Sequence, residues 1–438
     1  MCKVPPPKPR AAPIVVGFSV RGLAEATAAA ARPPLAADRF ADHDCQLAAE
    51  QVVRLKQWGG NVQNTSEFLS ELFRAGADAQ SQVLLAGGME NWPELVELLH
   101  QHFTVLGPTA DQLRLLRSPQ RWQRWAEQSS IAFPETFFPQ AQDEHSQSAS
   151  NWLIKPLHLA SGWGQPLYVK QPASNWLSKP LRSAGGTAIK WSSHASPEAY
   201  WQRHVAGRSL GVYCVLHRDG SAQLLGATES ISATQWPGPS EFIYRGSLGP
   251  IRLPQHHCRQ IVELCRLIQR ETELLGWLQL DFIEDHAGDL WLLELNPRWA
   301  AGMEVLFLAG INPVEHHCRA WQAEADAPGI ASADATPTGG PAASTAAELP
   351  CQREISFGKA IVYASRELVL TRQCIESLHN LPRDNFADLP SHQLIADGQS
   401  THVVSGGEPL LTVRASGPHD TLLEQLARLR ETALATLA

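Results

Sequence analysis

Near the start of the chain, short apolar runs give way to glycine and then to helix-period patterns. PIVVGFSVRGLAEATAAAA (13–31) predicts a buried strand, a glycine turn and an Ala-rich helix. PLAADRFADHD (34–44) predicts a second strand ending in acidic residues. VLLAGGMENWPELVELLHQH (83–102) repeats the order of strand, glycine turn and helix. Strands alternating with helices imply a parallel sheet under helical cover, so residues 12–115 read as an open α/β domain. Its glycines form no GxGxxG, which leaves a dinucleotide site weakly supported.

Further on, QLRLLRSPQRWQRWAEQSSIAFPETFF (112–138) predicts a helix, a connection and the entry to a strand. Helical periodicity returns in HHCRQIVELCRLIQRETELLGW (256–277), with Ile261, Leu264, Cys265 and Ile268 on one stripe. Residues 323–349 are rich in Ala, Pro, Thr, Gly and Ser, so 323–350 reads as a flexible linker. The remainder, 351–438, mixes strands (KAIVYAS, EPLLTVRAS) with a closing helix and reads as a small β-rich domain.

The alternation in LQLDFIEDHAGDLWLLELNPR (278–298) carries the most chemistry. Two strand-like segments flank a turn-forming EDHAGD, and a hairpin centred on Ala287–Gly288 pairs Asp281 with Glu294 and Gln279 with Asn296. Both carboxylates then share one face, about 5 Å apart at Cβ. Carboxylates that close repel unless a cation lies between them, and a hard divalent ion accepts such oxygen ligands. A hairpin with a simply wet polar face explains the same alternation.

Two other stretches add polar groups suited to phosphate and a flat base. In WLSKPLRSAGGTAIKW (176–191), Lys179 ends a strand before the flexible turn Ser183–Gly186, whose backbone N–H groups can approach an anion. An ordinary hairpin turn has the same composition. YWQRHVAGRSLGVYCVLHRDG (200–220) reads as a hinge between domains, or as a plain loop between strands. A near-repeat of the first stretch, NWLIKPLHLASGWGQP (151–166), makes Lys155 a competitor of Lys179.

With 438 residues the chain exceeds one compact core, and two to four domains follow. A net charge of −8 without a long Lys/Arg run argues against nucleic acid or an anionic membrane as the main partner. No apolar run reaches membrane-helix length, and the N-terminus does not read as a signal peptide. Eight scattered cysteines without a CxxC pair suit reduced thiols and a cytoplasmic setting. The triplet HHC occurs at 256–258 and 316–318, but neighbouring helical residues diverge by about 100°, so one triplet cannot close around an ion.

In order and spacing, these segments resemble the ATP-grasp superfamily over roughly residues 12–320. The family pattern of Lys-Pro with a glycine loop, a Gln-x-x-Val-x-Gly hinge, a strand acid and Glu-x-Asn-Pro-Arg is met here. The matching residues are Lys179-Pro180 with Ser183–Gly186, Gln202–Gly207, Asp281 and Glu294–Arg298. The resemblance implies an α/β and α+β multidomain protein with an N-terminal parallel domain, an ATP-grasp domain over 116–322 whose two subdomains clasp ATP, and the C-terminal β domain. It also implies an ADP-forming ligase that activates a small carboxylate as an acyl phosphate for attack by an amine.

Carried over by residue, Lys179, Ser183, Gly185 and Gly186 would hold phosphates. Gln202 and the backbone of Arg203 and Val205 would hold adenine, with Ser209 where some members place a ribose-binding acid. Asp281, Glu294 and Asn296 would bind Mg²⁺ (or Mn²⁺), and Arg298 would stabilise the transferring phosphoryl group. Ala188 replaces the last Gly of the usual GGxG, and no phosphate-binding lysine is evident near Arg117–Arg121.

The segments GFSVRGLAEA, AGGMEN and WLSKPLRSAGG look most like a bacterial branch of predicted carboligases. That branch is similar to the tyramine–glutamate ligase of methanofuran synthesis and the pyrrolysine-pathway ligase, which would suggest cofactor synthesis for one-carbon metabolism. ATP-dependent carboxylation through carboxyphosphate and a catalytically silent ATP-binding module are the competing readings. Arg21 and Arg182 suit either recognition of a substrate carboxylate or a surface role, and a homodimer is left open.

Overall fold

The computed structural model describes residues 11–55, 65–139, 154–156, 175–182, 185–191, 199–322, 355–391 and 401–437. The expected linker 323–350 lies outside them. The N-terminal pattern forms a five-stranded parallel sheet in the order Gln51–Arg54, Leu35–Asp38, Ile14–Val16, Gln82–Leu85, Thr104–Leu106. Ile14, Val15 and Val16 are all buried because helices cover both faces, which is why this strand reads as an unbroken apolar run rather than an alternating one. The strand order reverses between Ile14–Val16 and Gln82–Leu85, so the turns at Gly17 and Gly87 open side by side at the carboxyl ends of the sheet.

Besides the antiparallel strand pair Leu368–Thr371 and Thr401–Val404, two antiparallel sheets follow. The smaller runs Ile154–Pro156, Thr136–Pro139, Ala199–Arg203, Trp176–Pro180, Lys190–Trp191. The larger has eight strands in the order Leu290–Asn296, Gly276–Glu284, Arg208–Leu216, Ala222–Ser230, Gly246–Gly249, Ser356–Tyr363, Pro409–Gly417, Phe386–Ala387. Strands from the C-terminal stretch therefore extend the sheet that carries Asp281 and Glu294. Helix Gln255–Thr272 buries its expected stripe of Ile261, Leu264, Cys265 and Ile268 in the core under that sheet. Complete burial of each aliphatic side chain contributes roughly 1.5–3 kcal/mol.

The hairpin register departs from a single constant. Asp281 faces Glu294 and Gln279 faces Asn296 as expected, but Phe282 faces Leu292 and Glu284 faces Leu290. The turn spans Asp285–Asp289, with Asp285 Oδ1 accepting from the N–H groups of Ala287 and Asp289. An irregularity beside Asp281 then restores the expected register. The HHC triplets serve packing. His317 accepts from the Trp277 N–H at Nδ1 and meets the Leu106 carbonyl through Nε2, and burial holds its pKa down to about 3. His257 meets the Gly288 carbonyl through Nε2. The six described cysteines are free thiols, and no helix among the described residues is long and apolar enough to cross a membrane.

The N-terminal domain and the larger sheet are tied together at one carboxylate. Glu304, on helix Met303–Leu308, receives Arg21 at 2.6 and 2.9 Å, Lys359 at 2.6 Å and Arg414 at 2.8 Å. Arg21 comes from the first helix of the N-terminal domain, and Lys359 and Arg414 come from the strands Ser356–Tyr363 and Pro409–Gly417. Arg21 also bonds Asp388 and Glu25, and it is 1% exposed, so it is neither a surface residue nor available to a substrate carboxylate. Arg182 is exposed.

Burial pushes the Glu304 carboxyl up, but Arg21, Lys359 and Arg414 more than offset this and hold it well below the usual carboxylate range. A depressed carboxylate stabilises the fold above its unfolded pKa, near 4.5, and loses that contribution as pH falls through its lowered folded value. Glu304→Gln leaves three buried cations undercompensated and should cost about 3–5 kcal/mol at pH 7. In urea unfolding across pH 3–8, the deficit shrinks below about pH 4.5; a deficit under about 1 kcal/mol at pH 7 contradicts the assignment.

Candidate active site

The expected metal ligands converge on adjacent strands. Asn296 Nδ2 donates to Asp281 Oδ2 at 3.1 Å and to Glu294 Oε1 at 3.2 Å, and Gln279 Nε2 donates to Asp281 Oδ1 at 2.7 Å. Burial raises Asp281 well above the usual range, and the neighbouring Glu294 carboxylate raises it further. Glu294 moves the other way, because Arg117 and Lys179 together outweigh the cost of its burial. Two buried carboxyls this close repel when both are charged, and a divalent cation between them relieves that repulsion.

Among the described residues, no group of three or more His, Cys, Asp or Glu could hold a metal ion. Two carboxylates and an amide instead suit a hard ion that completes its shell with water and phosphate, as Mg²⁺ does. The donor set fits Mg²⁺.

Lys179 lies opposite this pair. It ends strand Trp176–Pro180, is 8% exposed, and donates from Nζ to Gln202 Oε1 at 2.7 Å. Burial lowers its pKa, against the pull of Glu294 and Asp281. Arg117, Tyr200, Lys179 and Glu294 line one small pocket between the sheets. Lys155 sits on the outermost strand of the smaller sheet, with two strands between it and the strand of Lys179.

Gln202 Nε2 donates to Thr136 Oγ1, so this side chain braces Lys179 inside the sheet. Arg203 ends that strand with its N–H on the Glu135 carbonyl, and residues 204–207 lead to strand Arg208–Leu216 of the larger sheet. Val205 is half-buried in this connection, and Ser209 pairs with Ile283 across the ladder.

The glycine turn takes the form its composition requires. Gly185 and Gly186 have φ of +61° and +77°, and a Cβ on Gly186 would collide with the Phe242 carbonyl. Ala188 also sits at φ +62°, where a side chain costs about 1–2 kcal/mol, so the missing third glycine leaves a strained residue in the turn. Ser183 lies outside the described residues.

Arg298 follows the hairpin and is held from the N-terminal domain. Nε and Nη2 donate to Glu90 Oε1 at 3.1 and 2.8 Å, and Nη1 donates to Gln279 Oε1 at 3.0 Å. Glu90 accepts the Gly88 N–H through its other oxygen at 2.7 Å and is fully buried. Burial raises the Glu90 carboxyl, and the Arg298 guanidinium beside it reverses that to leave it lowered.

Sequence reasoning gave Glu90, Arg117, Tyr200 and Gln279 no role in the site. Gln279 was within reach, since it lies two residues before Asp281 on the same strand face. Arg117 carried a usable signal as a cation just before helix Pro119–Gln128, where a lysine was sought. Glu90 meets Arg298 across 208 positions and has no local signal.

No family model matches the chain, and no curated protein matches it. Solved structures do. L-amino acid ligase from Bacillus licheniformis aligns with 98% of this chain and 98% of its own, at TM-score 0.58 and 11% identity. The biotin carboxylase domain of Hydrogenobacter thermophilus 2-oxoglutarate carboxylase, in complex with MgADP and bicarbonate, aligns over 97% of this chain and 89% of its own, at TM-score 0.58 and 11% identity. Rhizobium etli pyruvate carboxylase gives TM-score 0.61 at 13% identity over 98% of this chain, which spans 37% of that protein's length. The likeness is one of architecture along nearly the whole chain: this chain has the ATP-grasp fold.

Burying two adjacent carboxylates costs stability. Asp281→Asn removes one of two adjacent buried charges and should raise the unfolding free energy in metal-free buffer at pH 7.5 by about 1 kcal/mol. Urea unfolding checks this, and a loss above 1 kcal/mol would show the pair to be a structural element instead.

Proposed function

We propose that the protein is an ATP- and Mg²⁺-dependent ligase that phosphorylates a small carboxylate and joins it to an amine, releasing ADP and phosphate. The observation that carries this reading is the convergence of Lys179, the Asp281–Glu294–Asn296 set and Arg298 from three separate stretches of chain. Asp281, Glu294 and Asn296 would hold Mg²⁺, which supplies positive charge to phosphate oxygens.

The residues act by placement and charge. Lys179, braced by Gln202, offers its ammonium to the phosphates, and the positive-φ turn at Gly185–Gly186 lets backbone N–H groups approach them. Arg298, fixed by Glu90 and Gln279, faces the transferring phosphoryl group. A substrate carboxylate oxygen attacks the γ-phosphorus and ADP leaves. The amine nitrogen then attacks the acyl carbon, loses a proton, and expels phosphate. Charge neutralisation and in-line positioning account for such a reaction without a protein nucleophile.

Bicarbonate in place of the organic acid gives the second reading, carboxylation through carboxyphosphate; a structural neighbour carries bicarbonate with MgADP. Both are tested by following ADP release from Mg-ATP across a panel of amino acids and amines, with and without bicarbonate. Bicarbonate-independent turnover that requires both an acid and an amine is the expected result. Turnover that requires bicarbonate assigns a carboxylase. ATP binding without turnover assigns a silent binding module.

A further inference from the structure

The glycine-rich turn does not stand alone over the site. Its far side rests on residues 241–244, in the connection between strands Ala222–Ser230 and Gly246–Gly249 of the larger sheet. The Tyr244 N–H donates to the Gly185 carbonyl at 2.9 Å. Trp191 Nε1 donates to Glu241 Oε2 at 2.7 Å, and its ring meets Phe242 edge-on at 5.5 Å. Gly186 lies so close to the Phe242 carbonyl that no side chain fits between them.

The receiving connection is itself prebuilt. Arg245, 4% exposed, donates to the carbonyls of Trp236, Ser240, Glu241 and Ile243, a guanidinium serving as the core of a loop without secondary structure. A turn with positive-φ residues and an exposed tryptophan thus meets a rigid seat on the opposite subdomain.

We propose that the 231–245 connection is a catch for the phosphate loop, and that the Trp191–Glu241 bond and the Gly185–Tyr244 bond set how long a nucleotide stays bound. The assignment rests on the nucleotide reading above. It makes Trp191, Glu241 and Arg245 positioning residues that act on the nucleotide through the glycine turn.

The test is stopped-flow dissociation of an N-methylanthraniloyl-ADP probe with Mg²⁺. Trp191→Phe keeps a ring but loses the N–H, and Glu241→Ala loses the acceptor. Each should raise the dissociation rate roughly 3- to 10-fold with association unchanged, the effect of losing one charge-assisted hydrogen bond. Glu241→Gln retains an acceptor oxygen and should restore most of the wild-type rate. Unchanged dissociation overturns the catch. So does faster association alone, which would make the contact a block in the free protein.

Failure of the wild-type protein to bind the probe would overturn the nucleotide reading instead. Hydrogen exchange at the Tyr244 amide then still decides the docking. Protection lost in Glu241→Ala supports it, and unchanged protection refutes it.

Discussion

The segment that carries Arg298 is held in place by one buried carboxylate with three cationic partners. Glu304 is bonded by Arg21, Lys359 and Arg414, which belong to the first helix and to two late strands of the larger sheet. Its own helix begins five residues after Arg298, and Lys359 reaches the Ala301 carbonyl in the segment between them. The segment that presents Arg298 is therefore pinned on one side by the hairpin and on the other by this charge cluster. Ionic groups in the interior are weak stabilisers when compared with apolar replacements, but breaking one is severe. What such a cluster supplies is a defined arrangement of three parts of the chain.

The site itself lacks such direct pairing. Around Glu304 the three cations are matched by Glu304, Asp388 and Glu25; at Asp281 and Glu294 two carboxyls share one buried position on the sheet, with amides as their immediate donors. Lys179 and Arg117 lower Glu294 from across the cleft, while Asp281 stays raised. Local instability of this kind is expected where a ligand completes the charge balance. The strained Ala188 in the glycine-rich turn belongs to the same pattern.

Much of this was legible in the chain because it is written in local periodicity. The alternation of LQLDFIEDHAGDLWLLELNPR predicts the pairing of Asp281 with Glu294, since strand faces repeat every two residues. The tip was read one position off, because Asp285 organises a longer turn and an irregularity beside Asp281 absorbs the difference. Three of the five parallel strands of the N-terminal domain were readable as apolar runs, while Gln51–Arg54 and Thr104–Leu106 were not. Contacts between distant segments left no such mark. Nothing near Glu90 announces Arg298, and nothing near Arg21 announces Glu304, 283 residues away. A buried arginine and a surface arginine look alike until the fold shows which one carries a carboxylate.

The central claim is that the paired carboxylates form a Mg²⁺–nucleotide site together with Lys179. Calorimetric titration of ADP into the protein, with and without Mg²⁺, tests it most directly when repeated on Glu294→Gln. The account predicts that Mg²⁺ tightens ADP binding at least about tenfold in the wild-type protein and leaves it unchanged in the variant. Equal tightening by Mg²⁺ in Glu294→Gln would contradict it.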